Sequence, residues 1–196
     1  MVLVECDKSW CGSSTSRQRT KLSRPFWTTV LSWGSKWYGG DSSQVQEQLV
    51  RVRQIQAAGS SFAALREDGS VVTWGFANNG GDSSHVQEQL VRVQQIQATL
   101  AAFAAILDDG SVVTWGCPES GGDSSQVREQ LVQVQQIQAT QTAFAAVRKD
   151  GSVVTWGDFS SGGVSSEVRE QLVGVQQVCA AIYAFAAMLD DGRVVT

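Results

Sequence analysis

The sequence predicts a mainly β protein assembled from about four copies of one small unit, an architecture of the propeller, solenoid or array kind. Three observations predict it. Trp33, Trp74, Trp115 and Trp156 recur every 41 residues, each followed by glycine. Phe62, Phe103, Phe144 and Phe185 keep that spacing, as do Leu49, Leu90, Leu131 and Leu172. A period of roughly 20–50 residues is the signature of repeat architectures. Finally, every copy holds an Asp-Gly pair between two apolar runs, a strong short-range hairpin signal.

The repeat from Trp74 to Trp115 shows the elements in order. Gly80-Gly81-Asp82-Ser83-Ser84 is a turn with Asp and Ser as candidate helix caps. Val86–Leu90 suits one or two short helical turns, and Ser84 and Gln87 have capping-box spacing. Arg128 and Arg169 replace that glutamine in later copies. Val93, Ile96 and Ala98 lie in an extended segment, and Phe103–Ile106 is a second strand. Asp109-Gly110 then turns the chain into Val112–Trp115, whose β-branched and aromatic residues favour a third strand. Each unit is thus three short strands with a short helix or turn. One unit cannot bury its apolar face alone, but stacked neighbours can.

The recurring Trp33, Trp74, Trp115, Trp156, Phe62, Phe103, Phe144 and Phe185 are expected to form the core. Gly69, Gly110, Gly151 and Gly192 are turn residues, because glycine accepts the positive φ that a two-residue hairpin needs. The acid beside each one is a turn former rather than a catalytic carboxylate.

Charge divides the chain. Residues 1–40 carry six basic and two acidic side chains, whereas 41–196 carry nine and seventeen. An acidic body repels phosphate backbones, which argues against nucleic acid as its partner. Residues 1–29 break the repeat and read as an irregular, basic, disordered arm, followed by the repeat domain 30–196. No apolar run approaches the roughly 20 residues of a membrane helix. The N-terminus turns acidic at Glu5, unlike a secretory signal. The expectation is an intracellular chain, cytoplasmic or nuclear, with Cys6, Cys11, Cys117 and Cys179 as free thiols.

The run Asp68-Gly69-Ser70-Val71-Val72-Thr73-Trp74-Gly75, recurring at 109–116 and 150–157, resembles the regulator of chromosome condensation repeat. The resemblance covers about residues 30–196 and implies a β-propeller, usually of seven blades, used as a binding scaffold. It also implies three kinds of role: nucleotide exchange on a small GTPase, chromatin binding, or an accessory domain of a HECT-type ubiquitin ligase. This sequence departs from the family pattern. Its period is short, and Phe103-Ala104 and its equivalents stand where the family often has His-Ser. Four copies are ordered in place of seven. Ser32 and Thr196 lie four periods apart, so the chain is either a segment of a longer ring or an unusual closure of four blades. The expected fold is a propeller-like array of about four small blades, open or partial.

Comparing the copies exposes two variable windows. The first follows Trp-Gly and reads Ser35–Tyr38, Phe76–Asn79, Cys117–Ser120 and Asp158–Ser161. The second precedes the phenylalanine strand, at 58–61, 99–102, 140–143 and 181–184. Variable loops on a rigid repeat are where recognition usually sits. The first window is richer in aromatic anchors. The candidate partner-binding residues are Trp37, Tyr38, Phe76, Asn78, Asn79, Glu119, Asp158 and Phe159.

No catalytic constellation accompanies them. The lone His85 replaces Gln44, Gln126 and Glu167 of other copies, as an exposed polar residue would. Cys179 replaces a strand glutamine and is expected to be a small apolar filler. The glycine turns lack a phosphate-loop lysine, and the cysteines lack zinc-ligand spacing. The reading is a non-enzymatic protein-interaction scaffold without metal or cofactor. The alternatives are a substrate-recruiting fragment of a larger HECT-type ligase and a guanine-nucleotide exchange factor.

Overall fold

The computed structural model describes residues 30–196, so the expected N-terminal arm, 1–29, lies outside the described residues. Every repeat forms its own three-stranded antiparallel sheet, with the strands in chain order. The first sheet holds β1 (Val52–Ala57), β2 (Ser61–Arg66) and β3 (Val71–Gly75). The second holds β4 (Val93–Ala98), β5 (Ala102–Leu107) and β6 (Val112–Gly116). The third holds β7 (Val134–Ala139), β8 (Ala143–Arg148) and β9 (Val153–Gly157). The fourth holds β10 (Val175–Ala180), β11 (Phe185–Leu189) and the short β12 (Val194–Val195). The result is an open propeller of about four blades. Among the described residues no helix is long and apolar enough to cross a membrane.

Local chemistry sets each hairpin. Asp109 Oδ1 accepts from the Ser111 backbone N–H at 2.9 Å and its hydroxyl at 2.6 Å, while Gly110 takes φ +80°. That turn registers Phe103 against Trp115 and Ala105 against Val113. The aromatic pair then stacks with centroids 5.2 Å apart, as Phe62–Trp74 and Phe144–Trp156 also do.

In the last three repeats the helical segment before the first strand is a 3-10 turn, at Ser84–Val86, Ser125–Gln130 and Arg169–Gln171. Its cap differs from the expected Ser84–Gln87 pairing. Asp82 Oδ1 accepts the Ser84 N–H at 2.9 Å and thereby takes the donor. Gln87 instead accepts from the Ser83 hydroxyl at 3.0 Å and donates its amide to the Val71 carbonyl at 3.1 Å. The side chain thus ties the turn to the preceding blade.

The core lies between sheets. Because strand side chains alternate, each blade has two apolar faces. Ala63, Leu65 and Val71 of the first blade meet Leu90, Val93, Ile96, Phe103, Val113 and Trp115 of the second. Ala102, Ala104 and Ile106 leave the other side of β5 and meet Leu131, Ile137, Phe144 and Trp156 of the third. A small-residue face therefore packs on an aromatic face at every junction. Backbone bonds clamp both ends of the stack. At one end the N–H groups of Val93, Val134 and Val175 donate to the carbonyls of Gly69, Gly110 and Gly151, each at 2.9 Å. At the other, Gly59 donates to Leu100 and Leu100 to Gln141 at 2.7 Å, and Gln141 to Ile182 at 2.8 Å.

Two residues differ from their expected places. Trp74, Trp115 and Trp156 are buried, but Trp33 is 86% exposed. The buried ones lean on a phenylalanine twelve residues earlier, and the matching position for Trp33 is Lys21, outside the described residues. Cys179 lies on β10 but is exposed rather than a core filler, because its side chain alternates away from the buried Val178.

Candidate partner-binding edge

After each Trp-Gly the chain makes one 3-10 turn: Lys36–Tyr38, Ala77–Asn79, Pro118–Ser120 and Phe159–Ser161. The turn is held from beneath by the core. Gly80 ends it at φ +88°, and a Cβ there would sit 2.5 Å from the Phe103 ring. The Gly80 carbonyl accepts the Trp115 indole N–H at 3.1 Å. The same bond joins Trp74 to Gly39 and Trp156 to Gly121, each at 3.0 Å. One stacked Phe–Trp pair in each of the first three blades thus fixes the turn left by the preceding repeat. The Gly81 N–H closes the loop onto the Phe76 carbonyl at 3.0 Å. Backbone bonds from Asn79, Gly80 and Gly81 hold the turn, and the variable side chains project from that frame.

Those side chains are largely in solvent. Trp37 is 80% exposed, Tyr38 59%, Phe76 42% and Phe159 75%. Open grooves separate successive turns. One, of about 690 Å³, runs between the third and fourth turns and is lined by Glu119, Asp123, Trp156, Asp158, Phe159 and Arg169, among others. A second, of about 460 Å³, is lined by Asn78, Asp82 and His85 on one side and Pro118 and Glu119 on the other. Of the sequence candidates, Asn78 and Glu119 share one groove, and Glu119, Asp158 and Phe159 share the other. Trp37, Tyr38 and Phe76 belong to neither lining. Asn79 is turned inward: its amide donates to the Ser60 hydroxyl at 2.8 Å, and its carbonyl accepts from Ser61. That residue fastens the turn to the β1–β2 hairpin.

The groove walls are acidic. Asp82 and Asp123 are held below the ordinary aspartate range by the N–H groups of Ser84 and Ser125. The Cys117 thiol, 3.0 Å from Glu119, lowers that carboxyl too. Asp158 is engaged by the Ser160 hydroxyl. His85 and Arg169 are the basic groups in the two linings. Sequence reasoning passed over Asp82, Asp123 and Arg169 because the recurrence of the first two reads as turn chemistry, and Arg169 as part of a helix. Among the described residues there is no cluster of three or more His, Cys, Asp or Glu side chains that could hold a metal. The arrangement suits a polypeptide laid across successive turns, with acids in the grooves and aromatics on the ridges.

The second variable window proves to be the blade-to-blade ladder at Gly59, Leu100, Gln141 and Ile182. Its bonds run through backbone atoms alone, so no residue pattern marks it and the side chains are free to differ.

No family model matches the sequence, and no curated protein does. Solved structures do match the fold. Yeast RCC1 (Prp20), crystallised with Kap60, aligns with a TM-score of 0.56 at 16% identity over 94% of this chain and 59% of its own. A structure of Prp20p from Saccharomyces cerevisiae, described together with its binding to Gsp1p and histones, aligns at 0.53 and 15% identity over 86% and 54%. The chain spans little more than half the length of either. The fold is that of the RCC1-type propeller.

Proposed function

We propose that this chain is a non-enzymatic interaction module that binds a protein partner across the turns following each Trp-Gly. One observation carries the reading: four turns of identical backbone frame display different, exposed side chains, aromatic at Trp37, Tyr38, Phe76 and Phe159. Rigid exposed aromatics are efficient anchors because little side-chain entropy is lost on binding. The acids lining the grooves, and the excess of acidic residues over 41–196, favour a partner segment rich in lysine and arginine. Prp20, which shares the fold, is described as binding histones and Gsp1p, both proteins. The test is fluorescence anisotropy with labelled core histones and with a Lys/Arg-rich peptide. Binding should weaken with salt. It should fall at least tenfold in a Trp37→Ala, Tyr38→Ala, Phe76→Ala, Phe159→Ala variant whose melting temperature is unchanged. Undiminished binding in that variant rejects the assignment of the edge.

A second reading, nucleotide exchange on a small GTPase, is favoured by the description of Prp20p binding to Gsp1p. It requires the chain to accelerate release of bound guanine nucleotide. A third, recruitment within a longer HECT-type ligase, fits a chain matching little more than half of a larger ring. It requires ligase activity to depend on these repeats.

A further inference from the structure

Charged side chains are treated differently at the two ends of the blades. β3, β6 and β9 run from the Asp-Gly hairpins at one end to the turns after Trp-Gly at the other. All five ion pairs among the described residues join side chains at the hairpin end, Arg51 to Glu67 at 3.0 Å and Arg148 to Asp150 at 3.5 Å among them. At the turn end Asp82, Glu119, Asp123 and Asp158 form none among the described residues. Two grooves gather these four acids. Pro118 and Glu119 line both, so the third turn is a shared ridge with a groove on each side. The larger groove sets Glu119, Asp123 and Asp158 against Arg169, in a lining that also includes the apolar Val153, Val154 and Phe159. The smaller sets Asp82 and Glu119 against His85. Carboxylates outnumber basic side chains in each. The ridge itself offers a crossing chain no strand edge. The Cys117 N–H donates to the Ala101 carbonyl at 2.8 Å, and those of Ser120, Gly121 and Gly122 stay within the turn at 3.1, 3.0 and 2.9 Å. Pro118 has no N–H to give. A segment laid across the ridge therefore gains nothing from strand pairing and suits the polyproline II form, whose backbone needs no partner.

We infer that this ridge, as part of the binding edge proposed above, selects a partner segment with two lysine or arginine side chains three residues apart, one for each groove. Geometry sets the spacing. Sheets packed face to face stand roughly 10 Å apart, and the two grooves flank a turn between successive blades. Polyproline II rises about 3.1 Å per residue and repeats every three residues, so positions i and i+3 share one face about 9 Å apart. With the first side chain seated, a second at i+2 or i+4 points away from the other groove. Glu119 stands between the two basic groups and attracts both. The apolar part of the larger lining meets the aliphatic stem of the side chain that enters it.

The experiment is fluorescence anisotropy on the full chain with four fluorescein-labelled peptides of one composition. Each carries two arginines in a background of proline and serine, and the arginines stand two, three, four or five residues apart. The peptide with spacing three should bind at least about tenfold tighter than the others. Glu119→Gln should level the four affinities. Glu67→Gln removes the same charge from the paired hairpin end and should change each affinity less than about twofold. Both side chains are exposed, and circular dichroism checks that the two variants fold alike. Equal affinity for the four peptides overturns the inference, and so does an equal loss in Glu119→Gln and Glu67→Gln. If the spacing preference is absent while the variant lacking the four edge aromatics still loses binding, the ridge alone is rejected. Failure of every arginine peptide to bind rejects the ridge and the edge together.

Discussion

The same substitution made at one repeat position in all four blades should cost different amounts. Phe103 and Phe144 are fully buried, stacked on Trp115 and Trp156, and cradle the backbones of Gly80 and Gly121. Truncating a buried phenylalanine to alanine costs about 3–5 kcal/mol, and loss of an aromatic pair adds about 0.5–1.5 kcal/mol. Phe103→Ala and Phe144→Ala should therefore lose about 4–5 kcal/mol. Phe62 keeps its partner Trp74 but is only half-buried, so Phe62→Ala should fall near 3 kcal/mol. Phe185 is half-buried with no described stacking partner, and Phe185→Ala should lose about 1–2 kcal/mol. For a chain of this size each kcal/mol shifts the melting temperature by about 2–4 °C. The expected order is then a drop of roughly 10 °C or more at 103 and 144, against roughly 5 °C or less at 185. The assay is thermal unfolding by far-ultraviolet circular dichroism. Equal losses at 103 and 185 would refute the assignment of the larger cost to full burial and stacking on tryptophan.

Further outcomes follow from the bonding. Trp115→Phe keeps the ring but leaves the Gly80 carbonyl without its indole donor, and should cost about 1–3 kcal/mol in urea unfolding. A loss below about 0.5 kcal/mol would show that bond to be dispensable. Leu100→Ala should change stability by less than about 0.5 kcal/mol. Leu100→Pro removes the N–H given to Gln141 and should cost about 1–3 kcal/mol, so equal effects would deny the backbone ladder. Asp68, Asp109 and Asp150 are held below the ordinary range by the serine two residues on. Their contribution is complete above the unfolded value near about pH 4 and is lost as pH falls through the lowered folded values. The melting temperature should fall below about pH 4. An Asp109→Asn, Asp150→Asn variant should flatten that fall, and an unchanged slope would contradict the assignment.

Much of the fold was legible because its signals are local and repeated. Asp-Gly at 109–110 specifies the hairpin, and the hairpin registers Phe103 on Trp115. Trp33 misled because the buried tryptophans stack on a phenylalanine twelve residues earlier, and for Trp33 that position holds Lys21. Arg51, Arg92 and Gln133 were illegible for another reason. All three take φ near +53° without being glycine, and against Arg92 and Gln133 lies the Gly of the preceding hairpin: a Cβ on Gly69 would come 2.8 Å from the Arg92 Cα. No single-residue preference encodes a close approach between two backbones one blade apart. Asn79 looked like a free surface amide and is a fastener, because its partner Ser60 lies on a separate turn.

The two variable windows carry a more general point about reading repeats. Variation among copies shows that a side chain is free, not that it is functional. In the second window the ladder itself is made by N–H and C=O groups, so Gly59, Leu100, Gln141 and Ile182 can differ while sharing one structural role, and beside it the Thr99 and Thr140 hydroxyls donate to the Ser120 and Ser161 carbonyls. In the first, the backbone is equally fixed, but by groups from elsewhere, namely the indole and ring of the following blade. Asn79 fastens its turn through its side chain, whereas Trp37, Tyr38, Phe76 and Phe159 project into solvent. Exposed aromatic surface is unfavourable in water, and nothing in the frame of the turn requires it. That asymmetry, rather than variability itself, is what singles out the edge formed by the turns at 36–38, 77–79, 118–120 and 159–161 as the binding surface to test.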